Sequence, residues 1–216
     1  MKRQILIVLS VLVLGGVFVA ASFGYRAQRG EEVAALTRDH SELFEPAHAM
    51  RLGNPDARVT IVEFFDPACD TCAEFAPILR SMVEDSGGRV QLVERYAPFH
   101  PGSEKIVAVL EAARRQDRYW DALDILFSKQ AAWSDHANPQ PDRIWGYLEA
   151  GGLDVTRLAA DSKDPEIQAL IAQDIKDAKA LGVTQTPEFF VDGKPLPSWG
   201  LKQLQDLLKS ELEAQY

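Results

Sequence analysis

Two cysteines, Cys69 and Cys72, are the only ones in the 216 residues, and they constrain the chain more than any other feature. They stand two residues apart in EFFDPACDTC, residues 63–72, where an apolar run ends and a helical pattern begins. A disulfide scaffold needs several pairs. A zinc site made of thiolates alone needs a second pair. A structural staple across so short a loop restricts the unfolded chain little. The junction suits a dithiol that opens and closes a disulfide.

The run before the cysteines, VTIVEFF (residues 59–65), is β-branched and aromatic and reads as a buried strand with one charge, Glu63. Asp66-Pro67-Ala68 ends it. Cys69 then falls at a helix start and Cys72 in the first turn. Phe75, Ile78, Leu79, Met82 and Val83 follow at helical spacing, Pro77 lies inside, and Gly87-Gly88 ends the helix. A helix N-terminus offers unpaired N–H groups and partial positive charge, which stabilise a thiolate. Cys69 is therefore the predicted nucleophile with a lowered pKa. Cys72, deeper, is placed to attack a mixed disulfide formed at Cys69 and release the product. A carboxylate in an apolar strand has a raised pKa and can accept a thiol proton, which gives Glu63 a role beside them.

Downstream, RVQLVERY (residues 89–96) reads as a second strand, parallel to the first if the helix crosses over between them. The loop after it carries His100, a candidate to tune the thiolate. Residues 103–182 read as nearly all helical, with Ser103, Asp154 and Asp164 as N-caps. Ala131 to Pro141 reads as a loop. Ile167, Leu170, Ile171, Ile175, Ala178 and Leu181 form one apolar stripe. Then a Thr186-Pro187 turn opens a strand that Asp192-Gly193 folds into a hairpin. Leu201, Leu204, Leu207, Leu208 and Leu212 mark an amphipathic closing helix.

Here the residues match a family. CDTCAEFAPIL resembles the thioredoxin active-site helix, including a proline five residues after the second cysteine. Glu63, six before Cys69, falls where DsbA-type proteins have a buried glutamate, and those proteins also carry a helical insert where this chain does. The resemblance implies an α/β, thioredoxin-like fold with a mostly helical insertion between the second strand and a cis-proline loop. It implies that Glu63 moves protons for Cys72. It also implies that Thr186 offers backbone groups to an extended substrate and that Pro187 keeps metals off the dithiol. One departure stands out. DsbA-type enzymes carry a histidine between the cysteines, and this chain has Asp70 and Thr71. An acidic neighbour disfavours a second negative charge. The expected Cys69 pKa is therefore above the roughly 3.5 of strong oxidants, and the disulfide less oxidising.

The formal charge of -9 argues against nucleic acid as a partner. At the N-terminus, Lys2-Arg3 precedes an uncharged run from Ile5 to Phe23. That run approaches bilayer thickness and favours an uncleaved signal anchor over a cleaved signal peptide. The expected organisation is an anchor or signal at 1–24, a linker and extended arm at 25–57, and a thioredoxin-like domain at 58–216 with its insert at about 103–182. The resulting expectation is a DsbA-like, periplasmic or extracytoplasmic thiol–disulfide oxidoreductase. Its partners would be exported proteins with thiols or disulfides and a membrane redox protein. No cofactor or metal is expected beyond the Cys69–Cys72 disulfide. The competing readings are a copper-handling protein using the two thiolates and His100, and a reductase or isomerase fed by a membrane electron carrier.

Overall fold

The computed structural model describes residues 41–135 and 139–216, together with residues 4, 12–22, 24, 25 and 28 of the N-terminal segment. Of the expected signal anchor, residues 1–3, 5–11 and 23 lie outside the described residues. Among those described, residues 12–22 are helical, and no helix is long and apolar enough to cross a membrane.

A five-stranded mixed sheet organises the rest. Its strands are β1 (Met50–Gly53), β2 (Val59–Phe65), β3 (Val90–Tyr96), β4 (Glu188–Val191) and β5 (Lys194–Pro195), in the order β1-β3-β2-β4-β5. The central pair, β2 and β3, is parallel, because helix α1 (Asp70–Asp85) crosses over between them. β1 and β4 flank this pair antiparallel, and β5 closes a hairpin with β4. β2 is thus the middle strand, and every one of its residues except Thr60 is buried.

Alternation along the central strands sorts side chains onto two faces. Val59, Ile61 and Phe65, with Val90, Leu92 and Tyr96, face α1, the closing helix and part of the insert. Val62, Phe64 and Val93 face the other way, against Phe44, Ala178 and Leu181. Glu63 and Glu94 fall on the first face, because each stands two residues before an aromatic of that face.

Between β3 and β4 run α2 (Ser103–Arg114), α3 (Tyr119–Ser128), α4 (Gln130–Trp133), α5 (Ile144–Ala150), α6 (Val155–Asp161) and α7 (Pro165–Ala180). The caps expected at Asp154 and Asp164 form, each side chain accepting a backbone N–H of the following turn. The cap expected at Ser103 does not. Gly102 takes that position, and the Ser103 hydroxyl instead donates to Asp66 at 2.6 Å. The predicted 131–141 loop begins with the short helix α4. Helix α8 (Leu201–Gln215) closes the fold.

Two other expectations change. The arm ends in a strand, β1, which pairs with β3 from Met50 to Gly53, so the sheet starts before residue 58. Four residues with only two apolar side chains carry no strand period, so pairing rather than pattern makes this edge. Gly53 ends it at φ +105°, and a Cβ there would sit 2.7 Å from Val83 and 2.8 Å from the Val90 carbonyl. The stripe on α7 is also rotated. Ile175 is 37% exposed, while Asp174 and Asp177 are buried. Arg95, fully buried on β3, draws them in, at 2.9 Å from Asp174 and 2.8 Å from Asp177. Asp174 also accepts the Tyr96 N–H at 2.9 Å and lies 2.6 Å from His48 Nε2, which fastens the N-terminal arm.

Burial pushes the Asp174 carboxyl up, but His48, the Arg95 charge and the Tyr96 N–H outweigh it and hold it below the usual range. A carboxyl depressed in the folded state adds stability above the unfolded value near pH 4. That stability is lost as pH falls through the lower folded value. Arg95→Met should take the guanidinium charge from both buried carboxylates and cost about 3–5 kcal/mol in urea unfolding at pH 7. The deficit should shrink as Asp174 protonates in acid. A deficit under about 1 kcal/mol would contradict this network.

Candidate active site

The strand-to-helix junction places the dithiol. Asp66, fully buried at the end of β2, accepts the Ala68 N–H and the Ser103 hydroxyl on one oxygen and the His100 N–H on the other. These bonds fold residues 66–68 into a tight corner, and the Cys69 N–H closes it on the Asp66 carbonyl at 3.0 Å. Cys69 then stands at the N-cap of α1 in extended conformation, so its sulfur lies beside the free N–H groups of the first turn. From the insert, Gln130 donates to the Pro67 and Cys69 carbonyls, both at 2.9 Å.

Opposite the cysteines is the loop before β4. The Thr186–Pro187 peptide is cis, and the Cys69 thiol donates to the Thr186 carbonyl at 3.3 Å. Trp199 holds this loop by donating its indole N–H to the Pro187 carbonyl at 3.1 Å, with its ring 5.8 Å from Phe75 of α1. Residues 117 apart in sequence thus form the two walls of one site.

The thiols, both free, are strongly unequal. Cys69 is lowered from 9.0 to about 5. The hydrogen bond from the Cys72 thiol contributes most. Burial opposes it, and the Thr186 side chain and the N–H groups of Cys72 and Thr71 add to the lowering. Cys72 is 1% exposed, and burial pushes its thiol far up. Its hydrogen bond to Cys69 and the charges of Glu63 and Cys69 push the same way. The leading effects on Cys69 do not include the Asp70 charge. Asp70 itself is exposed, which weakens its field at the sulfur.

Glu63 lies under the dithiol at 2% exposure, and burial raises its carboxyl well above the usual range. The Glu94 charge, the hydrogen bond to Glu94 and the Cys69 charge add to this. His100, partly exposed, is tied by Nδ1 to Asp66 at 2.8 Å. The structure therefore gathers Cys69, Cys72, Glu63, Thr186 and Pro187, and places His100 on the neighbouring corner.

This geometry has known counterparts. The family model described as Thioredoxin matches residues 46–210. The chain belongs to the thioredoxin family. A thioredoxin-like oxidoreductase from Silicibacter pomeroyi DSS-3 is 32% identical, with 81% of this chain and 98% of that one covered and a TM-score of 0.69. The thiol-disulfide exchange protein alpha-DsbA2 from Wolbachia pipientis superposes with a TM-score of 0.71 at 19% identity, over 85% of this chain and 98% of that one. The fold is thus the DsbA-like variant of the thioredoxin fold. Among curated sequences, a Na(+)/H(+) antiporter NhaA from Herminiimonas arsenicoxydans is 32% identical over 175 residues, 81% of this chain and 27% of the antiporter. The chain spans about a quarter of the length of the curated relatives it matches.

Asp66, Gln130 and Glu94 escaped the sequence reading. Asp66 reads only as ending the strand, and Gln130 falls just before the 131–141 loop and draws no reading. Glu94 had a usable signal, because ERY on β3 sits in the strand as EFF does on β2.

Alkylation of the reduced protein should show a thiolate midpoint near pH 5 at Cys69, with Cys72 unreactive until far higher pH. A Cys69 midpoint near the ordinary 8–9 would contradict the site geometry.

Proposed function

We propose that this thioredoxin-family protein is a thiol–disulfide oxidoreductase that exchanges disulfides with protein substrates outside the cytoplasm. The observation that carries the reading is the inequality of the two thiols beneath the cis loop. A thiolate near pKa 5 is ionised at neutral pH, and its neighbour keeps its proton until it is needed.

In the reducing direction Cys69 thiolate attacks a substrate disulfide, a mixed disulfide forms, and one substrate thiolate leaves. Cys72 then bonds to the Cys69 sulfur and expels the second substrate sulfur, leaving the Cys69–Cys72 disulfide. The oxidising direction is the reverse. Thr186, whose carbonyl faces Cys69, pairs with the extended substrate backbone. Pro187 covers the dithiol, and Glu63 exchanges a proton with Cys72. His100, held by Asp66, and the Asp70-Thr71 dipeptide adjust the thiolate from the rim. No cofactor besides the Cys69–Cys72 disulfide enters this chemistry. A low Cys69 pKa favours the dithiol form, which supports DsbA-like oxidation of exported proteins, with a membrane redox protein restoring the disulfide. The charge pattern at the N-terminus supports export, with residues 1–24 as signal or anchor.

The copper-handling reading has less support. His100 Nδ1 is engaged by Asp66, and among the described residues no three His, Cys, Asp or Glu gather to hold a metal ion.

An insulin-reduction assay with a parallel Cu(I) titration separates these readings. The protein should catalyse insulin reduction, Cys69→Ser should abolish it, and Cys72→Ser should accumulate mixed disulfides. Stoichiometric Cu(I) binding without catalysis would overturn the proposal.

A further inference from the structure

Glu63 does not stand alone beneath the thiols. In the parallel register of β2 and β3 it is the direct partner of Glu94, so both side chains leave the same face of the sheet side by side. Both are buried, at 2% and 5% exposure. The two carboxyls act on each other, Glu94 pushing Glu63 up and Glu63 holding Glu94 down. One buried oxygen of each has no partner among the described residues. Two carboxyls this close and this dry cannot both ionise, so they hold a proton in common.

We propose that Glu94 is the second half of a carboxyl pair that keeps Glu63 loaded with a proton for Cys72 and takes that proton over when Cys72 releases its own. The inference rests on the disulfide-exchange reading and assigns Glu94 to its proton path as a positioning residue. When Cys72 bonds to the Cys69 sulfur, the bond from Cys69 to the substrate sulfur breaks and the substrate leaves as thiolate. The Cys72 thiol proton goes to Glu63 as Glu63 passes its own to Glu94. When a thiolate opens the Cys69–Cys72 bond, the path reverses: Glu63 protonates the departing Cys72 sulfur and Glu94 resupplies Glu63.

The surroundings fit this division. Glu63 faces Cys69 and Cys72 from α1, and its antiparallel partner on β4 is the uncharged Phe189. Glu94 faces Arg80 from α1 and Tyr119 from α3, and its partner on β1 is the uncharged Met50. Arg80, itself paired with Asp124 at 2.7 Å, lies on the Glu94 side, so Glu94 is the carboxyl that ionises first and the proton stays longer on Glu63, next to Cys72. Burial outweighs the other effects and leaves Glu94 raised as well, but the Glu63 carboxyl and the Arg80 charge oppose it, while every effect on Glu63 raises it.

The test is the rate at which glutathione opens the disulfide of the oxidised protein, followed by acid quench and mass spectrometry across pH. Rates are corrected for the glutathione thiolate fraction. The corrected rate should fall where Glu63 loses its proton. In Glu94→Gln, which removes the like charge, that fall should move down by about one pH unit or more. In a Glu63→Gln background, Glu94→Gln should add no further shift, because Glu94 acts through Glu63. Carboxyl ¹³C resonances of both residues in the unsubstituted protein should each show the two steps of a coupled titration. Profiles that coincide or differ only in height, or independent single-step titrations, overturn the pair and leave the exchange reading intact. Absence of any mixed disulfide in the unsubstituted protein overturns the exchange reading and the pair with it.

Discussion

The hydrogen bond from the Cys72 thiol to the Cys69 sulfur is the interaction on which the site depends. It divides two chemically identical groups into a thiolate and a thiol. One bond at a helix tip achieves this only because the surroundings are asymmetric. Cys69 stands at the N-cap with N–H groups ahead of it, while Cys72 is one turn down and in contact with the core. The same burial that lets Cys72 donate also keeps it from ionising, so the difference is a property of position along α1.

Position along α1 is set in turn by the corner at Asp66. That carboxylate gathers the Ala68 and His100 N–H groups and the Ser103 hydroxyl, joining the end of β2 to the start of the insert. Gln130 fixes the corner's carbonyls from farther along. The helical insert is therefore more than decoration on a thioredoxin sheet, since two of its residues hold the loop that aims Cys69. On the opposite face, Arg95 between Asp174 and Asp177 clamps α7 to β3, and α7 leads directly to the cis loop.

The fold was legible because its signals are periodic or punctuated. β2, α1, the Thr186-Pro187 turn and α8 each carry an unbroken apolar pattern or a turn dipeptide. What was not legible depended on partners far away in sequence. Asp174 and Asp177 broke an apolar stripe that needed Arg95 to make sense of them. Ser103 looked like a cap because its long-range acceptor, Asp66, is 37 residues earlier. β1 has no strand pattern of its own and exists as the edge of β3. Glu94 sits in its strand as Glu63 does in β2, but only the parallel register sets the two side by side.

The central claim is that the fold stabilises the Cys69 thiolate moderately, more than an ordinary dithiol and less than the strongest oxidants. The most direct measurement is the redox potential of the Cys69–Cys72 couple at pH 7 in glutathione buffers, read by acid-trapped thiol content. The account predicts a value between about -270 mV, typical of thioredoxin, and about -120 mV, typical of DsbA. A potential below about -300 mV, typical of structural disulfides, would contradict it.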